Sequence, residues 1–170
     1  MQETAQEYRQ RLFSYTEEKD PIQLQAGAAK KIEHLLKGVP ATKLRKRPAP
    51  GKWSVAEIVA HLADTEIVAG YRIRMILGAP GGPIPAFNQD DWAAALHYEK
   101  RDVRKSLDQF RSVREANLAQ LKLLSPEQRK LSGIHSERGE ESVETIVRMS
   151  AGHDINHIRQ IERILKPKNL

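Results

Sequence analysis

His153-Asp154-Ile155-Asn156-His157 gathers the densest chemistry in the sequence. Two imidazoles four residues apart on a helix stand one above the other and can turn their nitrogens toward one ion. The segment around them, VETIVRMSAGHDINHIRQIERIL, otherwise reads as an amphipathic helix. At about 100° per residue, its apolar stripe holds Val143, Ile146, Val147, Ile161, Ile164 and Leu165. His153 and His157 fall inside that stripe, and Ser150 and Asp154 lie toward it. Burying such groups costs free energy unless they are paired, hydrogen-bonded or bound to metal. The motif is not the H-E-x-x-H of zinc proteases, because aspartate replaces glutamate and is one methylene shorter. No peptidase chemistry follows from it.

Two histidines are an incomplete metal site, and the third ligand has to come from another helix. His61, in VAHLADTE, borders the apolar face defined by Ile58, Leu62 and Ile76. A core-edge histidine facing two others would make a three-imidazole site. Such a site leaves a coordination position for water or substrate, whereas structural zinc is usually closed by four protein ligands. The same pattern also fits core histidines satisfied by hydrogen bonds.

Both sets of histidines need long helices to carry them, and the sequence marks those helices. Asp20-Pro21 is a helix start, running to about Leu36 and stopped by Gly38 and Pro40. Residues 3 to 18 form a shorter helical prelude. Ser54-Val-Ala-Glu57 is a capping box opening a helix to about Leu77, with Val55, Ile58, Leu62, Ala69, Ile73 and Ile76 at core spacing. A glycine- and proline-rich loop, GAPGGPIPAFNQ, and a short helix over Trp92–Leu96 follow. A long helix spans about Asp102 to Leu124, with core positions Val103, Leu107, Phe110, Val113, Leu118 and Leu121. Ser125-Pro126 begins a short helix or turn, SGIHSERGEE reads as a loop, and the last helix runs from about Ser142 to Leu165. No segment shows strand alternation with hairpin turns, and no internal repeat at solenoid spacing is apparent. The class is all-α, a four-helix bundle. Residues 1–170 are read as one domain, its core over about 20–165.

Composition narrows the functional classes. The 170 residues are 39% hydrophobic and 29% charged, a globular balance. No run approaches the roughly 18 apolar residues of a membrane span. The first residues are charged and lack a signal-peptide core, so a cytoplasmic protein is expected. Without cysteine, disulfides, thiolate ligands and a cysteine nucleophile are excluded. The net charge is +6, but acids are interleaved with most of the bases. The one concentrated stretch, KLRKRPAPGK at residues 43–52, reads as a solvated linker rather than a nucleic-acid patch.

Three stretches in order, KWSVAEIVAHLADTE with YRIRMIL, then FRSVREANLAQL, then HSERGEESVETIVRMSAGHDINHIRQI, resemble the DinB/YfiT-like superfamily of metal-binding bundles. The resemblance covers residues 20 to 165. It implies a four-helix bundle with a long crossover connection, and frequently a homodimer. It also implies that the histidine of H-x-x-D-x-E and the two of H-x-x-x-H bind a divalent metal. Those positions are His61, His153 and His157, with zinc or nickel as the expected ion. Some relatives are S-transferases or isomerases that use a low-molecular-weight thiol such as bacillithiol or mycothiol; others are called hydrolases. The expectation is therefore a metal-dependent enzyme acting on a small molecule, with thiol-dependent S-transfer ahead of a metal-dependent hydrolase. A non-catalytic metal-binding stress protein is the non-enzymatic alternative.

Other residues carry secondary expectations. Asp154 is a candidate general base, or a group supporting the ligands. Asp64 could orient His61, and Gln160 could face the pocket. His135 matches a loop motif of the family, although loop packing is the simpler reading. Trp53 is expected to anchor its helix start, and His34 and His97 to lie on the surface. Arg72 and Arg74 could bind an anionic substrate or be solvated.

Overall fold

The computed structural model describes residues 3–166. The chain begins with α1 (Ala5–Ser14), α2 (Pro21–Leu36), the short α3 (Ala41–Arg45) and α4 (Val55–Gly78). Strand β1 (Pro83–Ile84), helix α5 (Gln89–Ala95) and a 3-10 turn at Tyr98–Lys100 lead to α6 (Val103–Leu121). Then come α7 (Pro126–Lys130), strands β2 (Ser132–His135) and β3 (Gly139–Ser142), and α8 (Val143–Leu165).

Each principal helix is started by a side chain that takes an otherwise orphaned backbone N–H. Asp20 accepts from Ile22 at α2, with Pro21 at the first helical position. Ser54 and Glu57 form the reciprocal capping box of α4. Asp102 accepts from Arg104 and Lys105 at α6, and Ser142 from Thr145 at α8. Glu57 is also held by Arg47 from the basic stretch, whose first residues belong to α3.

α2, α4, α6 and α8 form a four-helix bundle with a crossover. α4 packs against α6 and α8, and α2 against the same two. α4 and α6 are parallel: Asp64 meets Gln109, and farther along Glu66 and Gly70 meet Asn117. α2 and α8 are also parallel, through Gln25 to Val147 and Lys31 to Glu162. Two parallel neighbours cannot be joined by a tight turn. Residues 79–102, carrying β1 and α5, therefore return the length of the bundle between α4 and α6.

The core is split into two apolar clusters. Ile32, Val55, Ile58, Leu62, Phe110 and Ile161 form one, and Ile73, Ile76, Leu118, Leu121, Val143 and Ile146 the other. Each such side chain contributes about 1.5–3 kcal/mol by leaving water. Between the clusters lies a buried polar layer of Gln25, His61, Glu66, Arg114, Asn117, His153, Asp154 and His157. None of the described helices is long and apolar enough to cross a membrane.

Three sequence expectations need correction. A small three-stranded sheet exists, ordered β1-β2-β3, with β1 parallel to β2 and β2 antiparallel to β3. SGIHSERGEE is thus a hairpin, not a loop. Its strands are short and rich in glycine and glutamate, poor β-formers, so they are held by pairing and by burial of His135 and Glu141. On α6, Val113 is only half-buried while Arg114 and Asn117 take the inner face. That helix also ends at Leu121 rather than Leu124.

Candidate metal centre

His61 comes from the first half of α4, and His153 and His157 from the middle of α8. The two helices are antiparallel neighbours, and this brings the three rings together. His61 Nε2 lies 3.0 Å from His153 Nε2, which lies 3.1 Å from His157 Nε2. One nitrogen of each ring falls within 4.8 Å of the other two. All three residues are buried, at 2%, 8% and 7% exposure, so the environment rather than solvent decides their charge.

Burial holds His61 and His153 well below the ordinary imidazole range, and the neighbouring rings lower them further. Burial lowers His157 to about 4, although its bond to Gln160 opposes the shift. The rings are therefore neutral at pH 7, the form that ligates metal. Gln160 Oε1 accepts from His157 Nδ1 at 2.9 Å. That bond puts the proton on Nδ1 and turns the Nε2 lone pair to the cluster. Ligands about 2.0–2.1 Å from a tetrahedral ion stand roughly 3.3 Å apart. The observed spacings and the neutral nitrogen donors thus fit a divalent ion with little movement.

Trp53 supports the cluster as well as its helix start. Its ring lies 4.9 Å from that of His61 and 6.3 Å from that of Tyr98. Thr65 Oγ1 is 3.4 Å from His61, too long to orient the ring firmly.

The acidic candidates are engaged elsewhere. Asp64 binds Arg101 at 2.8 Å and Gln109 at 3.3 Å rather than His61. Asp154 receives two bonds from Arg114, at 2.6 and 3.1 Å. Arg114 also pairs with Glu66 at 2.7 Å and donates to Gln25 O at 3.1 Å. It therefore joins α8, α4 and α2 from its place on α6. Burial pushes Asp154 up to about 6 against the pull of Arg114, which leaves it ionised at neutral pH. Its position on Arg114 makes it a clamp residue, not a free base.

A cavity of about 80 Å³ opens beside the cluster, with His153 in its wall. Thr65, Val68, Ala69 and Arg72 line it from α4, and Ile146, Met149 and Ser150 from α8. Tyr8 and Leu12 of α1 cover it, and Arg138 and Glu141 reach it from the hairpin. Tyr8 and Leu12 of the N-terminal prelude carried no motif that would have marked them, whereas Arg138 and Glu141 fall within the HSERGEES stretch that resembles the family but was read as a loop. Arg74 lies outside, on Gly70 O and Asn117. His34 and His97 are exposed, and His135 is buried under the hairpin.

The DinB superfamily model matches residues 25–161. The chain belongs to the DinB superfamily. Two proteins of Oceanobacillus iheyensis, both provisionally named metal-dependent hydrolases, are similar to it. One is 28% identical over 119 residues, covering 70% of this chain and 68% of the relative. The other is 24% identical over 119 residues, covering 70% and 69%. Among solved structures, YfiT from Bacillus subtilis superposes with a TM-score of 0.80 at 21% identity, over 85% of this chain and 83% of that one. It is described as a probable metal-dependent hydrolase with an unusual four-helix bundle topology. At that identity the likeness establishes the shared DinB fold.

Proposed function

We propose that this DinB-family chain is a hydrolase of small molecules that depends on a divalent ion, zinc or nickel, held by His61, His153 and His157. The observation that carries the reading is the convergence of three neutral Nε2 atoms beside a cavity with His153 in its wall. When bound, such an ion supplies Lewis-acid activation of water near neutral pH. Gln160 fixes the His157 tautomer, and Trp53 packs against the His61 ring. The apolar walls restrict bulk water, which strengthens electrostatic interactions with a bound substrate. The hydroxyls of Tyr8, Thr65 and Ser150 are the neutral hydroxyl groups among the lining residues, beside the charged Arg72, Arg138 and Glu141.

Thiol transfer would use the same ligand set, with a thiolate in the open position. The names of the relatives support hydrolysis, and no cavity residue favours a thiol. The test loads the purified protein with zinc or nickel and screens small esters and amides, with and without a low-molecular-weight thiol. Turnover that follows metal content and needs no thiol supports hydrolysis. A thioether product would move the assignment to transfer. Unchanged turnover in protein verified metal-free by elemental analysis would overturn both.

A further inference from the structure

The cavity has an end that the histidines do not explain. α4 and α8 are antiparallel, so one wall runs from Thr65 to Arg72 while the other runs from His153 back to Ile146. Seven residues of helix span about 10 Å. The histidines thus mark one end, and Arg72, Arg138 and Glu141 the other.

Charge at that far end does not balance. Arg138 donates to both carboxylate oxygens of Glu141 through Nε and Nη2, at 2.6 and 2.9 Å. The Glu141 side chain is fully buried, so the two form a fixed, neutral pair. Arg72 has no acid partner among its described contacts. One terminal nitrogen donates to Pro85 O at 2.8 Å, and its buried Nε has no acceptor. Burial lowers Arg72 to about 10, which leaves it cationic at neutral pH. On the same hairpin, His135 Nδ1 accepts the Glu137 N–H, so its proton sits on Nε2. That nitrogen is buried without a partner, but His135 does not line the cavity and adds nothing to it. Arg72 is thus the one cation at this end of the cavity without a hydrogen-bonded acid among the described residues, with Glu141 and the exposed Glu137 as the acids in its field. A carboxylate brought beside Arg72 would give that cation a charge-assisted partner.

We infer that the cavity is a recognition subsite for a small carboxylate-bearing substrate, with Arg72 binding the carboxylate and the Arg138–Glu141 pair forming the rigid polar floor. The net charge of the three groups is +1, which matches a monoanion better than a phosphate dianion. Leu12, Val68, Ala69, Ile146 and Met149 give the middle of the cavity apolar walls, suited to a short hydrocarbon body. Its volume of about 80 Å³ corresponds to roughly three waters of liquid, so butyrate, with six non-hydrogen atoms, would fill it and reach its open mouth. The inference rests on the proposed hydrolase reading only for where the reacting group would lie.

The test is calorimetric titration of the full chain, metal-loaded and metal-free, with butyrate, butyramide and inorganic phosphate. Butyrate should bind both forms, about ten-fold or more tighter than its uncharged isostere. Arg72→Met should lose that preference, Arg72→Lys should keep part of it, and Arg74→Met should leave it intact. Circular dichroism of each variant checks folding. Equal binding of butyrate and butyramide would overturn the subsite, as would full butyrate affinity in folded Arg72→Met. Phosphate binding tighter than butyrate would overturn the carboxylate assignment. Butyrate binding confined to metal-loaded protein would make the ion, not Arg72, its ligand; the subsite would then fail while the metal reading stood.

Discussion

The backbone carbonyl oxygen of Leu12 occupies the space beside Gly152: a Cβ built on that glycine would lie 2.3 Å from it. Gly152 directly precedes His153, so the bare α-carbon lets α1 lie against α8 next to the cluster. Arg11 fastens the contact through Asn156 at 2.7 Å, and Arg148 through Thr16 at 3.0 Å. Gly152→Ala should force α1 outward. The clash, of the kind that costs about 1–3 kcal/mol, is partly offset by a gain in helix propensity of about 1 kcal/mol. Amide hydrogen exchange reads the difference: α1 should exchange faster while the middle of α8 does not. Unchanged protection of α1 would contradict the packing described.

Metal content should depend on all three histidines. Each single alanine substitution should lower the zinc or nickel retained after dialysis. Gln160→Leu should weaken affinity by about 10–100-fold, because it frees the His157 tautomer and ring without removing a ligand. Full occupancy in a His153→Ala, His157→Ala double variant would refute the ligand set.

Removing Arg114 should be among the most damaging single changes. Arg114→Met leaves Glu66 and Asp154 buried without their counter-ion, a loss of about 3–5 kcal/mol. Urea unfolding measures it. Adding Glu66→Gln and Asp154→Asn should restore part of the loss. If the single variant unfolds at the wild-type midpoint, the clamp assigned to Arg114 is wrong.

The metal-free protein should lose stability in acid. The unfolded chain's histidines protonate near pH 6.5, while burial keeps the folded cluster neutral to lower pH, about 4 for His157. Between those values the unfolded state binds more protons, so stability falls as pH drops below about 6.5. His157 alone would contribute about 3 kcal/mol over that window. Asp154 works in the opposite direction, since its raised folded pKa of about 6 adds stability as pH falls through that value. Three histidines outweigh one carboxylate. Urea midpoints that stay level or rise from about pH 7 to about pH 5 would show that the cluster protonates freely in the fold.

The sequence exposed some of these features and hid others for physical reasons. Helix starts were legible because a cap is local: Asp20, Ser54 and Ser142 act within three residues of themselves. The convergence of His61 with His153 and His157 was legible as well, because each sits on a face whose apolar neighbours show where the core lies. Arg114 was hidden. A charged residue predicts solvent until the partners on three other helices are known, and those partners depend on the packing. The hairpin was hidden because its strands owe their form to each other and to β1 rather than to their own residues. Arg138 could be placed in a cavity wall only once that hairpin was folded.

The parallel pairing of α4 with α6 bears on how the protein matures during synthesis. His61 and His153 are 92 residues apart, and the whole crossover and the hairpin lie between them. On a ribosome, α4 emerges long before α8. A lone imidazole on a growing chain holds metal poorly, and the His153–His157 pair does not exist until the final helix is made. An ion held by all three histidines would therefore be captured only after α8 has docked against α4. The choice of metal would then be set by what the surroundings offer the folded bundle, not by what a nascent chain meets.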